Sequence, residues 1–260
     1  MSFYTGLTGL KAATTDLDTT SHNIANASTT GFKNSRAEFG DLVDSNATMG
    51  GGLGVKTQAV NQLFGQGGII TTGNSTGSKL DLAITGNGFF QVKDPNTEGA
   101  VYTRAGSFYV DVDGYIVNNI GQRLQDGSGP PGTDLQFTGT MPVDNITIDK
   151  ATGNIDARDA TGVTVTAGAP LNLVNFPNVQ GLKQISDTSW LETTASGVPT
   201  FGLPGSGNLG TLMSGALETS NVDLTEQLVN MIVAQRNFQA NSKTITVNNT
   251  LTETVTNMIR

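Results

Sequence analysis

Few residues of this chain have the types and spacing that chemistry requires. His22 is the only histidine among 260 residues, and there is no cysteine. A lone histidine could act as a general base or bind a metal, but zinc sites usually need several histidine or cysteine ligands. We therefore expect a structural or surface role for His22.

Two short motifs match binding loops only in part. Asp111-Val112-Asp113-Gly114 begins like a calcium loop, but the strand-like residues Tyr115–Val117 follow it where further oxygen ligands are needed. Gly86-Asn87-Gly88 lacks the third glycine of a dinucleotide-binding loop. Both patterns predict turns, so we expect no enzymatic activity, no cofactor and no metal site.

The charge of the chain argues against several kinds of partner. There are 14 Lys and Arg residues against 22 Asp and Glu residues, which gives a net charge of −8. Binding to nucleic acid or to an anionic membrane surface needs an excess of basic residues. We expect no nucleic-acid partner, and no membrane insertion because no apolar run approaches the length of a membrane span.

The clearest patterns lie at the two ends of the chain. Phe3, Leu7, Leu10, Leu17 and Ile24 share one seven-residue grid near the N-terminus. Steps of three and four residues place side chains on one face of a helix, so this end predicts an amphipathic helix. A second grid of the same kind lies near the C-terminus and contains Leu224, Leu228, Met231, Phe238 and Ile245. It continues on an offset face with Leu251 and Val255.

These twelve residues, called the apolar stripe below, are predicted to form an assembly interface. Thr-rich polar faces weaken an isolated helix, so each helix needs a partner to be stable. Two outcomes stay open at this point. The ends could order only on assembly, or they could form an intramolecular helical hairpin packed on the β body.

The region between the helices reads as short strands separated by Gly, Asn and Asp turns. The predicted fold class is α+β, with coiled-coil-like paired terminal helices flanking a mainly antiparallel β body. Residues 1–27 and 222–260 are expected to form a terminal helical domain, 28–52 and 196–221 connecting segments, and 53–195 a β-rich outer domain. Within these, Gly50–Gly54 is predicted as a flexible joint and Ser196–Gly210 as an extended strap.

Several segments resemble the bacterial flagellar axial proteins, the rod and hook subunits. Ser21–Lys33, with Asn23, Asn26, Gly31 and Phe32, is similar to their N-terminal signature. The remaining segments follow in the family's order: Leu80–Phe90, Tyr102–Phe108, Gly215–Leu224 and Ala234–Asn241. The resemblance therefore spans almost the whole chain.

Within the family, two features favour different subunits. Met1-Ser2-Phe3, Gly9-Leu10 and Val222–Ala240 resemble the hook protein most. Hook proteins usually carry an additional outer domain, however, and Leu135–Ala169 is too short to hold one. The resemblance implies a hook subunit in a short form, with a basal-body rod subunit as the alternative, and a soluble binding module or enzyme as the more distant reading.

The resemblance also implies a mechanism and partners. The subunit would be exported unfolded by the type III apparatus and would polymerise head-to-tail outside the cytoplasm, with the terminal helices forming a tube around the export channel. A hook would act as a curved joint that transmits torque during motility. Expected partners are further copies of the chain, rod and hook–filament junction proteins, the hook cap and the export apparatus.

Overall fold

The computed structural model describes residues 3–43, 52–73, 79–94, 99–130, 132–150, 152–185 and 188–258. The chain divides into two compact units. Unit 1 contains Met1–Ala27, Asn34–Leu63 and Val222–Arg260, and unit 2 contains Ser28–Lys33 and Phe64–Asn221. The predicted α+β class is confirmed, with one helix near each end and antiparallel strands between.

Unit 1 is built from two helices and one hairpin. Helix α1 runs over Phe3–Ala25 and helix α2 over Leu224–Met258. The hairpin joins β1 (Ser35–Val43) to β2 (Gly52–Gln62) in antiparallel register. The hairpin also packs along α1.

The sequence explains where α2 begins. The Asp223 carboxylate accepts hydrogen bonds from the backbone N–H groups of Thr225 and Glu226 at 2.8 and 3.3 Å. An aspartate at this position satisfies N–H groups that have no partner within the helix, and it complements the helix dipole. No helix in the described part of the chain combines the length and apolar character needed to cross a membrane.

Unit 2 is the β body, and its principal sheet is antiparallel throughout. The strands of unit 2 are β3 (Ile69–Thr71), β4 (Lys79–Thr85), β5 (Phe90–Lys93), β6 (Ala100–Thr103), β7 (Ser107–Val110), β8 (Ile116–Asn118), β9 (Arg123–Leu124), β10 (Asp144–Ile148), β11 (Ile155–Arg158), β12 (Thr164–Thr166), β13 (Leu173–Asn175), β14 (Lys183–Gln184), β15 (Ser189–Leu191), β16 (Thr200–Gly202), β17 (Thr211–Ser214) and β18 (Ala216–Glu218). The principal sheet has the order β14-β15-β6-β5-β9-β8-β7-β4-β17, and the smaller sheets are β10-β11-β12, β13-β16 and β18-β3.

Two hydrophobic clusters hold unit 2 together. The larger one contains Phe90 and Phe108, and the smaller one contains Phe89, Tyr102 and Trp190. Phe89 and Phe90 enter different clusters because successive side chains of an extended segment point to opposite faces. Both phenylalanines and Trp190 are buried, as their apolar character predicts.

Strand pairing orders parts of two segments that the sequence predicts as a flexible joint and an extended strap. Gly52–Gly54 begins β2, while Gly50 and Gly51 lie outside the described residues. Ser196–Gly210 contains the strand β16, which pairs with β13. The units also differ from the predicted segments, because β1 and β2 group with the helices.

Candidate assembly surface

The two helices of unit 1 are antiparallel and meet along small side chains. A Cβ atom added to Gly6 would lie 3.1 Å from Cγ1 of Ile245, and one added to Gly9 would lie 2.7 Å from Oδ1 of Asn241. Ala13 of α1 and Ala234 of α2 are buried. This surface, called the small-residue seam below, brings the helices close because it carries no bulky side chains.

Asn23 fixes the position of α1 against two other elements of unit 1. Its Nδ2 donates to the Ser35 carbonyl at 2.7 Å and to Oε1 of Gln227 at 3.1 Å. Its Oδ1 accepts the Ser35 N–H at 2.8 Å. These hydrogen bonds offset the cost of removing the Asn23 amide from water. They also fix the register of α1 against both β1 and α2.

The other residues of the N-terminal signature lie at the end of α1 and in unit 2. Nδ2 of Asn26 donates to the His22 carbonyl at 2.9 Å and so satisfies one of the last carbonyls of α1. Gly31 and Phe32 belong to unit 2. Gly31 has a φ of 69° and lies directly against the Arg104–Ala105 backbone, where a Cβ atom would come within 2.6 Å of the Ala105 nitrogen.

The apolar stripe lies mostly outside the small-residue seam. Phe3 and Leu7 are exposed, whereas Leu10, Leu17 and Ile24 are half-buried. On α2, Met231 and Ile245 are half-buried, and Leu224, Leu228, Phe238, Leu251 and Val255 are exposed. None of these twelve side chains is fully buried, so the sequence grid identified a surface and missed the seam that joins the helices.

The exposed face of α2 extends beyond the predicted stripe. Its large apolar residues are between 36 and 80% exposed in the single chain, and extensive exposed apolar surface is typical of interaction sites. The additional residues are Val229, Ile232, Val233, Val247 and Met258. With 35 residues against 23 in α1, α2 is also longer by about 18 Å.

A polar cleft of about 310 Å³ lies within unit 1, lined in part by Asp16, Thr20 and Arg36. Burial raises the pKa of the Asp16 carboxyl. Among the described residues, no group of His, Asp or Glu side chains is arranged to hold a metal ion. The Asp111–Gly114 motif forms the turn between β7 and β8, and Gly114 has a φ of 83° there.

Exposed apolar helix surfaces of this kind are typical of proteins that assemble with other chains. Residues 83–168 match the model described as the flagellar hook protein FlgE/F/G D1 domain. Residues 213–258 match the model described as the C-terminal region of flagellar basal body rod FlgEFG proteins. Residues 3–33 match the model described as flagella basal body rod protein.

Full-length relatives agree with these matches. The flagellar basal-body rod protein FlgG of Bacillus subtilis is 37% identical over 100% of this chain and 99% of its own length. FlgG of Agrobacterium fabrum is 37% identical over 92% of each chain. The flagellar hook protein FlgE of Salmonella typhimurium is 28% identical over an alignment of 411 residues that covers 99% of this chain and 100% of FlgE.

This chain belongs to the flagellar hook and basal-body rod protein family. It is a structural component of the flagellum, outside the cytoplasm, and not an enzyme. The resemblance of its sequence motifs to this family is thereby confirmed.

Proposed function

We propose that the chain is a basal-body rod subunit that polymerises head-to-tail into a straight hollow shaft. The observation that carries this proposal is the full-length correspondence with FlgG of Bacillus subtilis, at 37% identity and with nearly equal chain coverage. The hook protein of Salmonella typhimurium, by contrast, needs an alignment of 411 residues. The rod was the alternative in the sequence-based prediction, and the length of the chain now favours it.

The structure of unit 2 supports this choice. The described residues 144–150 and 152–166 form the three-stranded sheet β10-β11-β12, which is far smaller than an additional domain. A hook subunit remains the second candidate. It is favoured by the FlgE/F/G description of the matched central region and by 28% identity to a hook protein over 99% of this chain.

Assembly would use the apolar stripe and the exposed face of α2. Most of these side chains lie outside the small-residue seam, whereas Ile245 packs against Gly6 within it. The exposed ones are accessible to a second copy while α1 and α2 remain paired. A head-to-tail contact that does not close produces a helical polymer. The enclosed export channel and the coiled-coil tube of terminal helices are further parts of this proposal.

The partners follow from the same proposal. They are other copies of this chain, adjoining rod and junction proteins, and the type III export apparatus. A hook cap would be a partner if the chain builds a hook.

Electron microscopy of concentrated purified protein tests the proposal. Straight tubes are expected, with Leu228→Asp as a matched variant that should not polymerise. Supercoiled or curved tubes would overturn the rod assignment in favour of the hook. Failure of the wild-type chain to polymerise under conditions where its unit 2 is folded would contradict assembly through these surfaces.

A further inference from the structure

Three charged side chains meet inside unit 2. Nζ of Lys33 lies 2.6 Å from Oε1 of Glu218, and Nη1 of Arg104 lies 3.2 Å from Oε2 of the same carboxylate. Lys33 and Glu218 are 1% exposed and Arg104 is 5% exposed. Water therefore screens these charges little, and the cluster, called the charge cluster below, carries two cations against one anion.

Among the described residues, the two cations have backbone carbonyls as their other hydrogen-bond acceptors besides Glu218. Nζ of Lys33 donates to the Gly65 carbonyl at 2.8 Å, and Nη2 of Arg104 donates to the Gly86 carbonyl at 2.9 Å. Burial lowers the pKa of Lys33, and Arg104 lowers it further, while the charge of Glu218 and its hydrogen bond raise it. Glu218 is thus the only carboxylate bonded to either cation among the described residues.

The charge cluster joins segments that are far apart in the sequence. Lys33 lies in Ser28–Lys33, the first segment of unit 2, and Glu218 ends β18, its last strand. The Gly31 N–H donates to the Glu218 backbone carbonyl at 2.8 Å, and the Gly67 N–H donates to Oε1 of Glu218 at 2.9 Å. Each of these contacts is lost when β18 undocks.

Removing the carboxylate of this cluster and removing one of its cations have unequal consequences for stability. Without Glu218, two buried cations have no counter-charge, which is strongly unfavourable. Without Lys33, one cation and one carboxylate remain as a balanced pair. We propose that Glu218 acts as a latch: Ser28–Lys33 stays docked in unit 2 only while β18 supplies this carboxylate.

The latch predicts unequal effects of two substitutions that both remove the 2.6 Å Lys33–Glu218 ion pair. Glu218→Gln should increase amide hydrogen exchange at Gly31 and Phe32 by about 10²–10³-fold, because it leaves two uncompensated buried cations. Lys33→Met keeps the apolar stem and restores charge balance, so the increase should stay below about tenfold. Both variants are measured in the full chain, with Trp190 fluorescence reporting the folding of unit 2.

Asp134→Asn is the matched control, because it removes a partly exposed ion pair with Arg123 at 3.3 Å. Its effect should be within about threefold. Equal effects of Glu218→Gln and Lys33→Met would show an ordinary ion pair and overturn the latch, as would no effect of Glu218→Gln. If Glu218→Gln does not fold, a folded Lys33→Met supports the latch, and an unfolded Lys33→Met contradicts it.

Discussion

Replacing Leu228 by aspartate tests the apolar stripe most directly. Leu228 is 52% exposed in the single chain, so about half of its side chain remains to be buried by a neighbouring copy. Complete burial of a leucine contributes about 1.5–3 kcal/mol, which leaves about 1–1.5 kcal/mol for the assembly contact. An aspartate at the same place loses this contact and adds the cost of burying an unpaired carboxylate, several kcal/mol.

The two contributions together predict a large change in polymerisation. Because each 1.4 kcal/mol changes an equilibrium constant tenfold, the critical concentration should rise by about 10³-fold or more. Leu228→Ala, which only loses apolar contact, should raise it by about tenfold or less. Phe238→Asp is expected to abolish polymers as well, with unit 2 intact in both aspartate variants.

The assay is sedimentation of polymer across a range of protein concentrations, with Trp190 fluorescence confirming that unit 2 is folded. Val112→Asp serves as the control, because Val112 is 83% exposed in the turn between β7 and β8 of unit 2. It should polymerise as the wild type does. Polymers of Leu228→Asp and Phe238→Asp at the wild-type critical concentration would refute the argument that the stripe is an interface.

Two further predictions concern the stability of the separate units. Ala13→Leu should destabilise unit 1 by about 1–3 kcal/mol through overpacking of the small-residue seam, whereas Ala240→Leu, at an exposed position, should be nearly neutral. Thermal unfolding followed by circular dichroism at the helix band compares the two variants. Equal melting temperatures would argue against a close seam. Burial, with a smaller contribution from Glu192, raises the pKa of Tyr102 to about 12. Because the folded state holds this proton more tightly than the unfolded chain, stability should be unaffected below about pH 10 and should fall by about 2–3 kcal/mol as the pH rises through the folded pKa. Tyr102→Phe should remove this loss of folding stability at alkaline pH. At pH 7 the variant should be neutral or stabilising, since the buried Tyr102 hydroxyl has no hydrogen-bond partner among the described residues. Phenolate absorbance and denaturant unfolding across this pH range provide the measurements.

Patterns local in the sequence predicted the corresponding parts of the fold well. The periodic ends form helices, and the Asp113-Gly114 signal lies in the turn that joins β7 to β8. In these places, neighbouring residues determine the conformation.

Elements that depend on distant partners were not predictable in the same way. β18 has three residues and includes a glutamate, which is a poor strand signal, yet it pairs with β3. Phe89 and Trp190 form an edge-to-face contact across about a hundred residues, with ring centroids 5.7 Å apart. No periodicity around either residue encodes such a pairing.

The candidate assembly surface shows the same division. The spacing of hydrophobic residues identified the large side chains of α1 and α2. The residues that are buried in these helices instead include glycine and alanine, which contribute little hydrophobicity to such a pattern. A second heptad spacing, Gly6, Ala13 and Thr20, was present in the sequence and marks the buried side of α1. Lys33, Arg104 and Glu218 each lie in a segment that resembles the family, although their meeting point depends on the tertiary fold.

The first segment of unit 2 and its last residue lie side by side. The Asn221 N–H donates to the Phe32 carbonyl at 3.4 Å, so the last residue of the unit lies beside its first segment. A domain whose two ends lie together can be lengthened or exchanged without moving the chain on either side. The free-energy cost of loop closure rises only slowly with loop length. A family of one architecture can thus include a chain of 260 residues and a hook protein that aligns with it over 411 positions.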